Sequence, residues 1–245
     1  MRLLLTRPMA DALILAEQLA GQGHDVVLAP MIEIEWDIDA PLPHAAAYGA
    51  VAFTSANGVR ALLAQLASKR AQTQDIHAWL ALPAFTVGPQ TAAAAQAAGF
   101  STCHQASGDV AALAQLIAAH HQGALPVLHI AGRHRAGDLA ALLAQKNVAA
   151  KRAVLYQAQA AEAFGDGARA ALCDGDAPVD GVLLYSQRSA MIFAALYDAL
   201  PSHDAPRPTA YCLSEPIAEA MRAAGFAATA PPQADGAALM AMLAV

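Results

Sequence analysis

The chain has 245 residues, of which 57% are hydrophobic and 14% charged, and this composition excludes a disordered protein. A net charge of −6 gives no basic surface for nucleic acid, and no apolar run approaches the roughly 18 residues that span a bilayer. The three cysteines lack metal-ligand spacing and indicate buried thiols in a reducing compartment. We therefore expect a soluble, cytoplasmic protein that binds neither nucleic acid nor a membrane.

The first predicted elements are a strand, a helix and a second strand. Residues 3–5 are apolar, as in a strand buried on both faces, and an amphipathic stretch over residues 10–19 follows. Residues 26–28 predict the next parallel strand. Residues 32–39 then alternate apolar and acidic side chains, which indicates an extended segment with one solvated face. Four carboxylates on that face are more typical of a charged strand edge than of a metal site.

Strands and helices alternate over the rest of the chain, which predicts parallel sheets flanked by helices. The predicted strands cover residues 51–54, 84–87, 127–130, 182–185, 210–213 and 227–230. The predicted helices cover residues 58–67, 90–98 and 137–145. Residues 153–158 predict a second extended segment, equivalent to the alternating one.

The two halves of the chain carry the same motifs in the same order. Residues 52–59 correspond to residues 183–190, residues 88–100 to residues 214–226, and residues 3–8 to residues 127–133. A repeat of this length indicates two similar α/β lobes rather than a solenoid.

The two extended segments predict where the lobes meet. We expect one lobe from residues 1–33 and 160–245, and an inserted lobe from residues 38–154. Residues 34–37 and 155–159 would form a two-stranded connecting ribbon. Two crossings of this kind make a hinge, with a cleft between the lobes.

Polar turns follow the carboxyl ends of the predicted strands, where open parallel sheets bind their ligands. Most of these turns begin helices, so their free N–H groups and helix dipoles favour anions. The candidate binding residues in these turns are Thr6, Arg7, Ser55, Ala56, Asn57, Gly88, Pro89, Thr91, Arg133, Ser186, Gln187, Arg188 and Ser214. Such a set suits a ligand with many carboxylates. The alternative is that serine caps and first-turn prolines here only start helices.

Other signatures of chemistry are weaker. The sequence has no glycine-rich dinucleotide or ATP motif, which counts against an oxidoreductase or ATP enzyme. His120 and His121 are adjacent and diverge on a helix, so they cannot share a metal ion. We expect His129 to be packed or exposed rather than a metal ligand, and we predict no metal site. Tyr156 lies on the second extended segment, from which its side chain reaches the cleft or packs.

The order and spacing of these motifs resemble the uroporphyrinogen-III synthase family. The resemblance spans residues 2 to about 243, and its carriers are LTRP at residues 5–8, FTSANGV at 53–59, VGPQTA at 87–92, VLY at 154–156 and YS at 185–186. It implies a monomer of two α/β lobes joined by a two-stranded ladder, without a cofactor. It also implies a cyclising hydro-lyase that converts hydroxymethylbilane to uroporphyrinogen III, with loss of water and inversion of ring D. A transient hand-over from hydroxymethylbilane synthase belongs to the same implication.

The resemblance also assigns roles to residues. Tyr156 matches the family's tyrosine that assists loss of hydroxide, and Ser55 and Thr91 match positions around the cleft. Backbone N–H groups in the helix-starting turns would hold acetate and propionate groups, with Arg7, Arg133 and Arg188 as electrostatic helpers. The sequence departs from the family's GPTTA pattern at Glu215 and Ile217, which puts carboxylate binding by side chains there in doubt. The competing function is a bilobed module that binds a small metabolite without catalysis.

Overall fold

A computed structural model describes residues 1–68, 73–133, 137–201 and 205–243. Within these residues the strands are β1 (Arg2–Leu5), β2 (Asp25–Leu28), β3 (Ile32–Trp36), β4 (Ala50–Phe53), β5 (Ala84–Thr86), β6 (Cys103–Gln105), β7 (Val127–Gly132), β8 (Ala150–Ala160), β9 (Gly181–Leu184), β10 (Thr209–Cys212) and β11 (Ala228–Thr229). The helices are α1 (Met9–Gly21), α2 (Ala56–Ser68), α3 (Thr73–Leu80), α4 (Pro89–Ala97), α5 (Val110–His120), α6 (Leu139–Ala144), α7 (Asp166–Cys173), α8 (Gln187–Asp198), α9 (Glu215–Ala223) and α10 (Gly236–Ala241).

The chain divides into two compact units. Unit 1 comprises Met1–Glu33 with Gln159–Val245, and unit 2 comprises Ile34–Ala158. One sheet has the strand order β11-β10-β9-β1-β2 and the other β3-β8-β7-β4-β5-β6. Parallel pairing joins the strands from β11 to β2 in the first sheet and from β8 to β6 in the second. The predicted α/β class with parallel sheets flanked by helices is confirmed, whereas the lobe boundaries and the cleft stay predictions.

The repeated motifs occupy equivalent places in the two sheets. Five strands of each sheet correspond, in the order β1, β2, β9, β10, β11 in unit 1 and β7, β8, β4, β5, β6 in unit 2. When these strands are numbered 1 to 5 in that order, their spatial order is 2-1-3-4-5 in both sheets. Unit 2 begins with the equivalent of the third strand, so its motifs appear in a circularly permuted order. The two units therefore share the same spatial order of strands, although the chain enters them at different strands.

Each sheet is buried on both faces, as its apolar strands require. Leu3, Leu4 and Leu5 on β1 are all fully buried, and they divide between two apolar clusters of unit 1. Phe53 on β4 and Phe85 on β5 are buried in two different clusters of unit 2. Both units therefore have helices packed against each side of a parallel sheet.

The two extended segments differ from their predicted bounds. β3 ends at Trp36 instead of continuing to residue 39, because the chain turns and the Ala40 N–H donates to the Asp37 carbonyl over 3.3 Å. β8 covers Ala150–Ala160 rather than residues 153–158. Its first half is a regular sheet strand that pairs in parallel with β7. The Asp37 N–H donates to the Leu155 carbonyl where β8 meets β3, its neighbour in the sheet.

Five of these elements have no counterpart in the sequence predictions: α3, α5, α7, α10 and β6. The α5 sequence VAALAQLIAAH is apolar on nearly all sides and hides the helical period, and β6 has three residues that alternation cannot identify. The cysteines are free thiols, but only Cys212 is buried, whereas Cys103 and Cys173 are half-buried. None of the helices in the described residues combines the length and hydropathy that a membrane crossing requires.

Candidate active site

A cavity of about 450 Å³ lies in unit 2 at the carboxyl ends of β4, β5 and β7. From β4 the chain continues to β5 and β6 on one side of the sheet, and from β7 it continues to β8 on the opposite side. The boundary between β4 and β7 is therefore the switch point of this sheet. Ligands of open parallel sheets bind at such a point. Thr54 and Ser55 contribute the β4 turn, and Tyr156 reaches the cavity from β8.

A β-bulge aims Tyr156 at this cavity. Ala131 pairs with Val154, but Gly132 pairs with Tyr156, so the register skips one residue on β8. The phenol ring then covers Gly132, where an added Cβ would lie 2.8 Å from Tyr156 Cε2. Tyr156 is 9% exposed. Only glycine therefore leaves room for the ring in this position.

Burial raises the pKa of the Tyr156 phenol above its usual value of 10.0. Hydrogen bonds from the Ser55 side chain and the Gly132 backbone, together with the charge of Arg152, lower this pKa in part. The phenol is therefore protonated at neutral pH. The Ser55 side chain and the Gly132 backbone are thus hydrogen-bond partners of a phenol that carries its proton.

Ser55 joins this tyrosine to the start of α2. Its hydroxyl accepts a hydrogen bond from the Asn57 N–H over 3.2 Å, in the way expected of a helix-starting serine. The Ser55 side chain is also a hydrogen-bond partner of the Tyr156 phenol, which accounts for its effect on the phenol pKa. Ser55 is therefore both a helix start and a partner of the candidate catalytic residue.

His129 is a cavity residue that the sequence analysis did not place in the site. It is 4% exposed, and its Nε2 lies 3.1 Å from the Thr54 Oγ1. Burial, reinforced by the charge of Arg152 and partly opposed by that of Asp138, lowers the pKa of His129 to about 4. The imidazole is therefore neutral at pH 7. The sequence signal is a histidine within VLHIAG, a strand in which every residue is buried.

The other predicted residues of unit 2 lie at the edges of this cavity or beyond it. Arg133 lines a separate cavity of about 210 Å³ together with Tyr156 and Glu35, and its N–H donates to the Tyr156 carbonyl. Of the predicted site residues in unit 2, the ones that line neither of these two cavities are Ala56, Asn57, Gly88, Pro89 and Thr91. Gly88 and Pro89 begin α4, as predicted from the turn chemistry.

In unit 1 the predicted residues have local partners. The buried Thr6 hydroxyl donates to the Leu183 carbonyl over 2.6 Å. Arg7 pairs with Asp11 over 3.2 Å and lies 4.7 Å above the centre of the Tyr185 ring. These contacts hold the first turn of unit 1 together.

The starts of α8 and α9 differ from each other. Ser186 caps α8 by accepting from the Ser189 N–H over 3.1 Å, with Gln187 and Arg188 exposed in the first turn. Ser214 precedes α9 but makes no side-chain cap hydrogen bond, so its predicted capping role is wrong. The α9 start keeps Pro216 in its first turn.

The departures at Glu215 and Ile217 have a structural explanation. Ile217 is 5% exposed and packs in an apolar cluster of unit 1, so this position serves the core. Glu215 pairs with Arg222 over 2.8 Å, and this partner holds the pKa of the Glu215 carboxyl below its usual value. The acid therefore carries a local counter-charge beside the α9 start.

Taken together, fold and site define an α/β protein of two similar units, with a polar, hydrogen-bonding cavity at the switch point of one sheet. Across the described residues, no group of three or more metal-ligating side chains is present. A family model described as uroporphyrinogen-III synthase HemD matches residues 14–241. The chain belongs to the uroporphyrinogen-III synthase family, whose activity is that of a cyclising hydro-lyase in haem biosynthesis. The non-catalytic binding module is not favoured.

Two solved structures share the fold. Uroporphyrinogen-III synthetase from Helicobacter pylori is similar with a TM-score of 0.65 at 16% identity, over 99% of this chain and 98% of that one. A variant of uroporphyrinogen III synthase from Thermus thermophilus gives a TM-score of 0.52 at 17% identity, over 99% and 97%. A comparison with curated protein sequences finds no match.

Proposed function

We propose that this protein closes hydroxymethylbilane to uroporphyrinogen III, and that Tyr156 assists the loss of water. The observation that carries the mechanism is the protonated phenol of Tyr156, buried in the cavity beside Ser55. The family match over residues 14–241 supports the reaction.

In this reaction the hydroxymethyl group of ring A leaves as water and gives an azafulvene. Ring D attacks through its substituted carbon, and the spiro intermediate fragments and recloses with ring D inverted. Unassisted closure gives the symmetrical isomer instead. The protein's contribution is therefore largely to hold both ends of a flexible chain in one geometry.

Tyr156 donates a hydrogen bond to the departing oxygen. Ser55 and Gly132 hold the ring as hydrogen-bond partners of the phenol, and burial keeps the phenol protonated at neutral pH. A phenol of raised pKa is a weak acid at neutral pH, so its contribution is a hydrogen bond that strengthens as charge develops on the leaving oxygen.

The acetate and propionate groups bind to backbone N–H groups where α2, α4, α8 and α9 begin. In unit 2 these positions are Ser55, Ala56, Asn57, Gly88 and Thr91, and Pro89 fixes the first turn of α4 without an N–H of its own. In unit 1 they are Ser186, Gln187 and Ser214, and Thr6 belongs to the turn before α1. Arg133 and Arg188 are exposed and add positive charge, while Arg7 acts beside its partner Asp11. Positive side chains at these turns offset the negative net charge of the protein toward a polyanionic substrate.

The proposal includes the setting of the reaction. The protein acts without a cofactor, as a monomer in the cytoplasm, and receives its substrate by transient hand-over from hydroxymethylbilane synthase. Rapid transfer would limit the unassisted closure that produces the symmetrical isomer.

Incubation with freshly made hydroxymethylbilane, followed by oxidation and separation of the porphyrin isomers, tests the activity directly. We expect the type III isomer from the wild-type protein. The type I isomer alone would contradict the proposal and favour a binding module.

Tyr156→Phe is expected to reduce turnover by up to about 100-fold, because the leaving oxygen loses its hydrogen-bond donor. The KM should change little, since the ring still fills its place over Gly132. The thermal midpoint should fall, because Ser55 and Gly132 lose their hydrogen-bond partner. The matched control is Tyr48→Phe, at a buried tyrosine of the same unit that packs in the core. Turnover of Tyr156→Phe within twofold of the wild type would remove the assigned role.

A further inference from the structure

The two sheets place different side chains at one equivalent pair of positions. Ala52 and Leu183 correspond in the repeat, and their partners on the neighbouring strands are His129 and Leu5. Thr54 likewise corresponds to Tyr185. Unit 1 therefore has leucine beside tyrosine in an apolar cluster, where unit 2 has His129 hydrogen-bonded to Thr54.

This comparison argues against a purely structural role for His129. Leu5 is fully buried at the equivalent position, so the fold accepts leucine there. A buried imidazole costs free energy that its hydrogen bonds must offset, whereas leucine has no such cost. The histidine is also at the wall of the cavity that contains Tyr156, whereas Leu5 packs in the core of unit 1.

We propose that His129 is a positioning residue that fixes the Thr54 hydroxyl at the wall of this cavity, where it hydrogen-bonds the reacting end of the tetrapyrrole. This inference rests on the proposed function. The imidazole acts through Thr54 over the 3.1 Å contact between the two side chains. Thr54 and Tyr156 then offer two oriented hydroxyl groups to one bound group.

The charges around the cavity indicate which part of the substrate enters it. Asp109 lines the cavity and caps α5 by accepting from the Ala112 N–H over 2.7 Å. Asp138 caps α6 by accepting from the Ala141 N–H over 3.1 Å. One first-turn N–H group of each helix is thus already occupied by a carboxylate. These two negative charges outnumber the single guanidinium of Arg152, whose charge acts on His129 and Tyr156, and they disfavour a further carboxylate.

The groups that fit here are uncharged and polar, or develop positive charge. A pyrrole N–H and the hydroxymethyl group of ring A meet this description, and the acetate and propionate side chains do not. The cavity of about 450 Å³ lies within the usual range for a small-molecule site. We infer that it holds reacting pyrrole rings, while carboxylates bind at other helix starts.

The test compares His129→Leu, His129→Gln and Thr54→Val with the wild type, using hydroxymethylbilane and the ratio of type III to type I porphyrin. His129→Leu should keep or raise the thermal midpoint but lower kcat/KM about tenfold, with a larger share of type I product. His129→Gln, whose amide reaches the position of Nε2, should stay within about threefold of the wild type. Thr54→Val should match His129→Leu, and the double variant should lose no more than either alone.

The outcomes separate this inference from the function on which it rests. A His129→Leu variant with the kcat/KM and isomer ratio of the wild type overturns the positioning role and leaves the synthase activity intact. A His129→Leu variant that loses stability, while Thr54→Val remains fully active, also overturns it. Failure of the wild-type protein to form type III product overturns the proposed function itself.

Discussion

Acidification from pH 7 to about pH 4 is expected to destabilise the protein by about 3 kcal/mol through His129 alone. The folded-state pKa of His129 is about 4, below the ordinary value of 6.5. The unfolded chain therefore binds more protons than the folded chain between these values. Stability is fully present above about pH 6.5 and is lost progressively as the pH falls through about 4.

The cause is the burial of His129 at 4% exposure, reinforced by the nearby charge of Arg152 and partly opposed by Asp138. Carboxylates elsewhere also titrate in this range, so the measurement is a difference. Chemical unfolding of the wild type and of His129→Leu at pH 7 and about pH 4 isolates the histidine. The wild type should lose about 3 kcal/mol more than the variant. Equal losses in both proteins would contradict a depressed His129 pKa.

Gly132→Val is expected to reduce turnover by about 100-fold or more and to cost about 3 kcal/mol of stability. A Cβ at Gly132 would lie 2.8 Å from Tyr156 Cε2 and 3.0 Å from Cζ. The ring is held by its neighbours, and Arg152 donates to the carbonyls of Gly132 and Arg133. The backbone at Gly132 cannot move without breaking these hydrogen bonds, so the valine side chain must displace the Tyr156 phenol from its position beside Ser55.

The matched control is Gly181→Val in unit 1, where an added Cβ would lie 2.6 Å from Tyr211 Cε2. It introduces the same kind of clash between glycine and tyrosine, but outside the candidate active site. Gly181→Val should therefore lower stability while the folded fraction keeps its turnover. Equal turnover per folded molecule in Gly132→Val would show that the position of the Tyr156 ring does not matter for the reaction.

Several features were predictable because they depend on local sequence. Short uninterrupted apolar runs such as Leu3–Leu5 are typical of strands buried on both faces, and the polar turns after most of these runs begin helices. The paired motifs predicted two sheets of one topology, and the positions of Ser55 and Tyr156 followed from the same pattern. Capping at Ser214 was the exception, since a serine in the right place need not bond to its helix.

Other features depend on pairing between distant segments. The skipped residue between Ala131 and Gly132 arises only when β7 and β8 are in register, and it aims Tyr156 at the cavity. His129 and Thr54 are 75 residues apart in the chain and meet because β4 and β7 are neighbours. The sequence around His129 therefore does not indicate Thr54 as its hydrogen-bond partner.

The sequence by itself determined the class of fold and the doubled motif order, because periodicity and turn chemistry act over a few residues. The family was indicated separately, by the resemblance of the motifs and their order. Tertiary structure decided which side chains share a cavity, which are neutral and which are already paired. Those properties depend on strand register and on burial, and both arise only when segments far apart in the chain pack together. The pKa of His129 and the fit of the Tyr156 ring over Gly132 are therefore properties of the folded chain.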